Sequence, residues 1–141
     1  MRIFQWSQAH AVHVTEVDDE HRHLFDLCAD LQNTLMAGAP LPDVQRIVDD
    51  LVFHAAEHFS HEERQMREAG YSLYGWHQRR HHAARSKLIL LDRRVRRGDR
   101  EAALEILDFL GGWLADHIRL ADRMLGAYLR NRQRELAARA S

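Results

Sequence analysis

The stretch from His58 to His81 restricts the folds open to this chain more than any other. It reads His58-Phe59-Ser60-His61-Glu62-Glu63-Arg64-Gln65-Met66, passes through Gly70 and Gly75, and ends in His77-Gln78-Arg79-Arg80-His81. Residues four apart lie one above the other on a helix, so His58 with Glu62 and His77 with His81 each form a two-ligand clamp. Two clamps on helices joined by a short turn can close on one metal site. Imidazole and carboxylate without thiolate suit iron, manganese or zinc rather than a sulfur-loving metal.

The rest of the chain carries apolar residues at helical spacing around this stretch. Residues 1–17 show no clean period and are expected to form an extended segment, and Asp18 and Asp19 announce the first helix as its caps. Its buried stripe is His21, Leu24, Phe25, Cys28, Leu31 and Leu35. Gly38-Ala39-Pro40-Leu41-Pro42 breaks that helix, and Asp43 is expected to cap a second one running to about Ala69, with Ile47, Leu51, His54, Ala55, His58, Glu62 and Met66 on one face. Gly70 stops it. Ser72 is expected to start a third helix with Tyr74, His77, His81, Ala84, Leu88 and Leu91 inward, ending in the basic run from Arg93 to Arg97 and at Gly98. Asp99 caps the fourth, whose expected inward residues are Ile106, Leu110, Trp113, Leu114, His117, Ala121, Met124, Leu125 and Tyr128. There are no internal repeats and no alternating Val/Ile-rich strands. Four amphipathic helices with short connections predict an all-α, up-down-up-down antiparallel four-helix bundle with an extended N-terminal segment. The expected organisation is one domain: an N-terminal segment over 1–17, the bundle over 18–130 and a polar tail over 131–141.

The turn positions test whether the histidines meet. In an antiparallel hairpin, residues equally distant from the turn lie level, because both helices rise equally per residue. His21 is about 18 residues before the Ala39 turn and His58 about 19 after it. Glu62 is about eight before Gly70, and about eight after it comes Gln78, beside His77. His117 is about 19 beyond Gly98, and the same count back falls on Arg79, between His77 and His81. All four helices therefore offer a metal-binding residue at one depth of the bundle.

Composition bounds the setting of such a site. A chain of 141 residues can bury a core without disulfides. A formal net charge of −1 supplies no global field toward nucleic acid or an anionic membrane, and neither partner is indicated. The single cysteine, Cys28, reads as a small buried apolar residue, and the N-terminal sequence lacks the apolar run of a signal peptide. No stretch approaches a membrane span, so the cytoplasm is the expected compartment. The compositional outlier is the set of 11 histidines.

Asp122 follows His117 by five residues, roughly 140° around an α-helix, and periodicity alone does not select it. The order Val17-Asp18-Asp19-Glu20-His21, His58-Phe59 with Glu62-Glu63 and Met66, Gly70-Tyr71, His77 and His81, then Trp113-Leu114-Ala115-Asp116-His117-Ile118 with Asp122 resembles the successive motifs of the bacterial hemerythrins. The resemblance implies a non-haem di-iron centre with a bridging oxo or hydroxo group. His77, His81 and His117 would ligate one iron, His21 and His58 the other, and Glu62 and Asp122 would bridge them. It also implies an open position on the second iron for dioxygen, with Leu24, Phe59, Trp113, Leu114 and Ile118 as the dry wall around it. Departures from the family pattern are His54, where an aromatic residue is usual, His13 for a common glycine and Glu20 for a common glutamine. Because His54 lies on the buried stripe, it is a candidate to donate a hydrogen bond to a ligand.

The implied function is reversible dioxygen binding for carriage, storage or delivery, since little sequence lies outside the bundle to act as an output. The alternatives are an oxygen- or redox-sensing module whose protein partner docks on the basic helix end or the tail, and a di-iron enzyme reducing peroxide or nitric oxide. His61-Glu62-Glu63 lacks the second histidine of a His-Glu-x-x-His zinc peptidase. A ferritin-like oxidase needs two Glu-x-x-His motifs, and only Glu20 to His23 fits that spacing.

Overall fold

The structure, a computed structural model, describes residues 4–140. Three helices, α1 (Thr15–Met36), α2 (Leu41–Glu68) and α3 (Tyr74–Arg96), are followed by a fourth rod in three consecutive pieces: α4 (Arg100–His117), a π-helical turn (Ile118–Asp122) and α5 (Arg123–Ala140). Each rod packs on its two neighbours around an all-α antiparallel bundle, and the described residues contain no strand.

The three connections share one device. Gly38, Gly70 and Gly98 each follow a helix with positive φ (66°, 63° and 98°), a conformation open to glycine without penalty. The next residue's N–H then turns back to a carbonyl five residues earlier: Ala39 to Thr34, Tyr71 to Met66 and Asp99 to Arg94. These reversals keep the helices antiparallel and hold the loops to a few residues. Asp99 caps α4 through the Glu101 N–H at 3.1 Å, while its other carboxylate oxygen takes two hydrogen bonds from the Arg94 guanidinium.

The apolar stripes meet in one main core containing Leu24, Leu31, Val48, Leu51, Leu88, Ile106 and Leu110, and a smaller cluster of Met66, Tyr71 and Leu125 lies at the Gly70 end. Burial of each such side chain contributes about 1.5–3 kcal/mol relative to exposure, so packing fixes the level of each helix against the next.

Four boundaries differ from the sequence reading. Helix α1 begins at Thr15, not at Asp18, because Asp18 sits in the first turn and its carboxylate reaches back to accept the N–H groups of Val12 at 2.9 Å and His13 at 3.1 Å. Helix α2 begins after Pro40 as its cap residue, which leaves Asp43 inside the first turn, and α3 starts at Tyr74 rather than at Ser72. The polar residues 131–140 continue α5 as an exposed helix. Residues 11–14 form no helix or strand and lead into α1.

That segment is pinned to α5. Arg123 and Arg130 donate to the Ala9 and Val12 carbonyls, each at 2.8 Å, and Gly126 lies so close that a Cβ there would stand 2.7 Å from the Val12 oxygen. His13 has φ 63°, the left-handed conformation, at the place where the sequence departs from a common glycine. Two opposite outcomes follow for thermal melts. Gly126→Ala should lower stability by about 1–3 kcal/mol through overpacking, whereas His13→Gly should raise it by about 1 kcal/mol, the relief of strain less the added freedom of the unfolded chain.

Candidate metal centre

Seven buried side chains converge in the half of the bundle nearer the Gly70 turn. His21 comes from α1, His58 and Glu62 from α2, His77 and His81 from α3, His117 from the end of α4 and Asp122 from the π turn, and none is more than 2% exposed. The π turn answers the spacing problem at Asp122. In a π-helix the hydrogen bond spans five residues instead of four, so residues five apart come to one face, and Asp122 joins His117. The same insertion shifts the phase downstream: Met124, expected inward, is 40% exposed, while Leu125 and Gly126 are buried.

The donor atoms fall into two groups that share both carboxylates: His77, His81 and His117 with Glu62 and Asp122, and His21 and His58 with the same pair. Each carboxylate divides its oxygens between the groups. Glu62 Oε1 lies 3.2 Å from His77 Nε2 and 3.0 Å from His81 Nε2, and its Oε2 is 3.4 Å from His58 Nε2. Asp122 Oδ1 is 3.0 Å from both His77 and His117, and its Oδ2 is 2.9 Å from His21. The imidazole nitrogens face one another as well, with His21 to His58, His77 to His117 and His81 to His117 each at 3.1 Å.

This arrangement fits metal ions. All four carboxylate oxygens are buried without a hydrogen bond, and acceptors in that state are strongly unfavourable unless a cation faces them. A cation about 2.1 Å from two donors at right angles holds them about 3 Å apart, the separation seen throughout the cluster. Nitrogen and carboxylate oxygen without sulfur suit a borderline divalent metal.

A second ring of contacts orients the imidazoles. Glu20 Oε1 accepts from His58 Nδ1 at 2.9 Å, and its other oxygen meets His61 at the surface. Glu63 accepts from His81 Nδ1 at 3.1 Å and is itself held by Arg85 at 3.2 Å. Arg80 Nε donates to His117 Nδ1 at 3.2 Å. The sequence reading offered His54 for such a role. His54 is instead half-exposed on the outer edge of its stripe, and its ring packs edge-on against His23 at 4.4 Å, away from the cluster. Of the apolar residues named with the site, Leu24, Phe59, Leu114 and Ile118 are at most 2% exposed and Trp113 is partly buried. The Phe59 ring stacks on His81 at 4.4 Å and the Trp113 indole on His117 at 4.2 Å, so both rings back the three-histidine group.

Charge is balanced by protons when no metal is bound. Burial disfavours a charged His58, but Glu62 and Glu20 outweigh it and raise its pKa to about 9. His77 is likewise raised to about 9 against burial, by Asp122 and Glu62. Burial and the Asp122 charge push Glu62 up, yet His58, His77 and His81 hold it at about 2, and burial lowers His117. Stability contributed by His58 and His77 is fully present below their ordinary 6.5 and lost as pH rises through about 9; that of Glu62 is present above 4.5 and lost as pH falls through about 2. The metal-free protein should therefore melt highest between pH 4.5 and 6.5 and progressively lower toward pH 9, as scanning calorimetry across that range can measure. Metal displaces these protons, so loading near neutral pH should release them to solution. Glu20→Ala removes the partner of His58 and should weaken metal affinity by about 10–100-fold in a chelator competition.

Comparison with known proteins converges on one family. The family described as the hemerythrin HHE cation binding domain matches residues 12–129. The bacteriohemerythrin of Methylococcus capsulatus is 26% identical over 130 residues, covering 92% of this chain and 98% of that protein, and the bacteriohemerythrin of Ralstonia nicotianae is 27% identical over 136 residues, covering 94% and 93%. A crystal structure of wild-type hemerythrin superposes with a TM-score of 0.83 at 26% identity, over 89% of this chain and 96% of that one. With the match running across all four helical rods and both donor groups, this chain belongs to the hemerythrin HHE cation-binding domain family.

Proposed function

We propose that this chain holds two non-haem iron ions and binds dioxygen reversibly in the cytoplasm, for carriage, storage or delivery and not for turnover. The observation that carries the reading is the unequal pair of donor groups: three histidines and two carboxylates in one, two histidines and the same two carboxylates in the other. One shared oxo or hydroxo bridge would bring these to six and five ligands, so the ion beside His21 and His58 would keep a free position. A ferrous pair there would supply the two electrons that dioxygen accepts on binding and returns on release.

The residues of the chain do the remaining work. Glu62 and Asp122 place two negative charges between the two cations and offset their repulsion, while the imidazoles complete the shells without adding charge. Leu24, Leu114 and Ile118 would keep water and protons from the free position, which slows irreversible oxidation, while Phe59 and Trp113, stacked on His81 and His117, would shield the neighbouring ion. Support comes from the bacteriohemerythrin relatives and from the burial of all seven donors.

An anaerobic-to-air optical titration with metal analysis tests the proposal. Protein produced with ample iron should carry about two iron ions per chain, and azide should add an intense visible band to the oxidised form. One zinc per chain, or a spectrum indifferent to azide, would overturn it. His117→Ala should lose reversible oxygen binding, whereas His82→Ala, at an exposed position on α3, should keep both oxygen binding and iron.

A further inference from the structure

A cavity lies at the opposite end of the bundle from the Gly70 turn, where α1 ends and α4 begins. It has a volume of about 570 Å³, within the range of about 300–1,000 Å³ common for small-molecule sites. Phe4, Leu35, Met36, Leu104 and Leu107 form its apolar wall. Met36 and Leu104 are 62% and 49% exposed, so the wall opens to solvent as an apolar surface without a covering element among the described residues.

Arg100 lies at one end of this cavity and makes it more than an apolar groove. Its Nη2 is buried and has no hydrogen-bond partner among the described residues. A guanidinium remains charged at every physiological pH, and the partly exposed Arg100 side chain on the cavity wall makes no ion pair with a described residue. The cavity thus combines an unpaired cationic donor with a run of apolar side chains. Asp108, on the same wall, is not a free charge. It stands two helical turns from Arg100, about 12 Å along the axis. The metal centre is elsewhere: Leu104 and His117 are separated by about 20 Å along the same helix.

We propose that this cavity binds a medium-chain fatty-acid anion, with its carboxylate on the Arg100 guanidinium and its alkyl chain along Phe4, Leu35, Met36, Leu104 and Leu107. An acyl chain supplies the apolar complement, and a single carboxylate supplies the acceptor that Arg100 lacks. The site is independent of the dioxygen reading, because none of its residues belongs to the metal cluster.

Octanoate is the probe, titrated into the iron-loaded full chain and followed by calorimetry and amide NMR. Saturable binding is expected below the micelle-forming concentration, with shifts confined to the end of α1 and the start of α4. Arg100→Gln should weaken octanoate by about ten-fold or more, and 1-octanol, which lacks the charge, should be weaker by a similar factor. Leu104→Glu places a carboxylate at an exposed position and should abolish binding without changing the melting temperature or the visible spectrum. Absence of saturation, equal affinity in Arg100→Gln, or shifts centred on the metal cluster would each overturn the proposal. Loss of dioxygen binding with octanoate binding intact would count against the preceding section alone.

Discussion

Two carboxylates facing five imidazoles in a buried interior set the terms for the rest of the molecule. Neither Glu62 nor Asp122 has a hydrogen bond to any of its oxygens, so their charge must be met by cations or by protonated histidines. An uncompensated buried charge of this kind is worth several kcal/mol. The fold must therefore deliver seven side chains from every rod to one level and hold them there. The main apolar core lies on one side of that level, and the Met66, Tyr71 and Leu125 cluster closes the other. The N-terminal strap, tied by Asp18 on α1 and by Arg123 and Arg130 on α5, adds a clamp across the Gly70 end of the bundle.

Satisfying this demand requires a defect in the fourth rod. A regular α-helix would aim Asp122 well away from His117, and moving the carboxylate one residue earlier would satisfy the period while changing its reach. The chain instead opens one π turn from Ile118 to Asp122. Such turns sacrifice local hydrogen-bond geometry and persist where the surroundings compensate, which here means a carboxylate placed between two groups of imidazoles. The price is a rotated face beyond it, visible in exposed Met124 and in buried Gly126, which the rotation brings against the Val12 backbone.

Much of this was legible in the sequence because it depends on rise per residue and on period. The bundle, its three glycine turns and the common depth of the histidines all come from counting along helices, and the structure has the same four rods and brings the same seven residues together. What period cannot report is a change of period. The π turn left no signature, so Asp122 came from family resemblance and Met124 was assigned to the wrong face. Helix starts were displaced because Asp18 acts from within the first turn on residues before it, and a cap read from sequence presumes that the acid precedes the helix. The role offered to His54 fell to Glu20 and Glu63. Hairpin counting does contain a signal for Glu20, which is about 19 residues before the Ala39 turn and so level with His58. Apolar stripes hide such residues, because a carboxylate that orients a ligand sits at the edge of the stripe.

Those edge residues distribute charge unevenly over the two donor groups. A carboxylate on the distal nitrogen of an imidazole makes the ring a stronger donor, and a cation there does the opposite. In the two-histidine group one ring of two, His58, has such a carboxylate in Glu20, which also meets His61. In the three-histidine group one ring of three, His81, has Glu63, but Arg85 draws on that carboxylate and Arg80 faces the distal nitrogen of His117. The group with fewer donors is thus the one whose rings are pushed harder. Stronger donors offset the smaller number of histidines in that group, so the chain compensates through the carboxylate on a distal nitrogen rather than through a further side chain in the cluster.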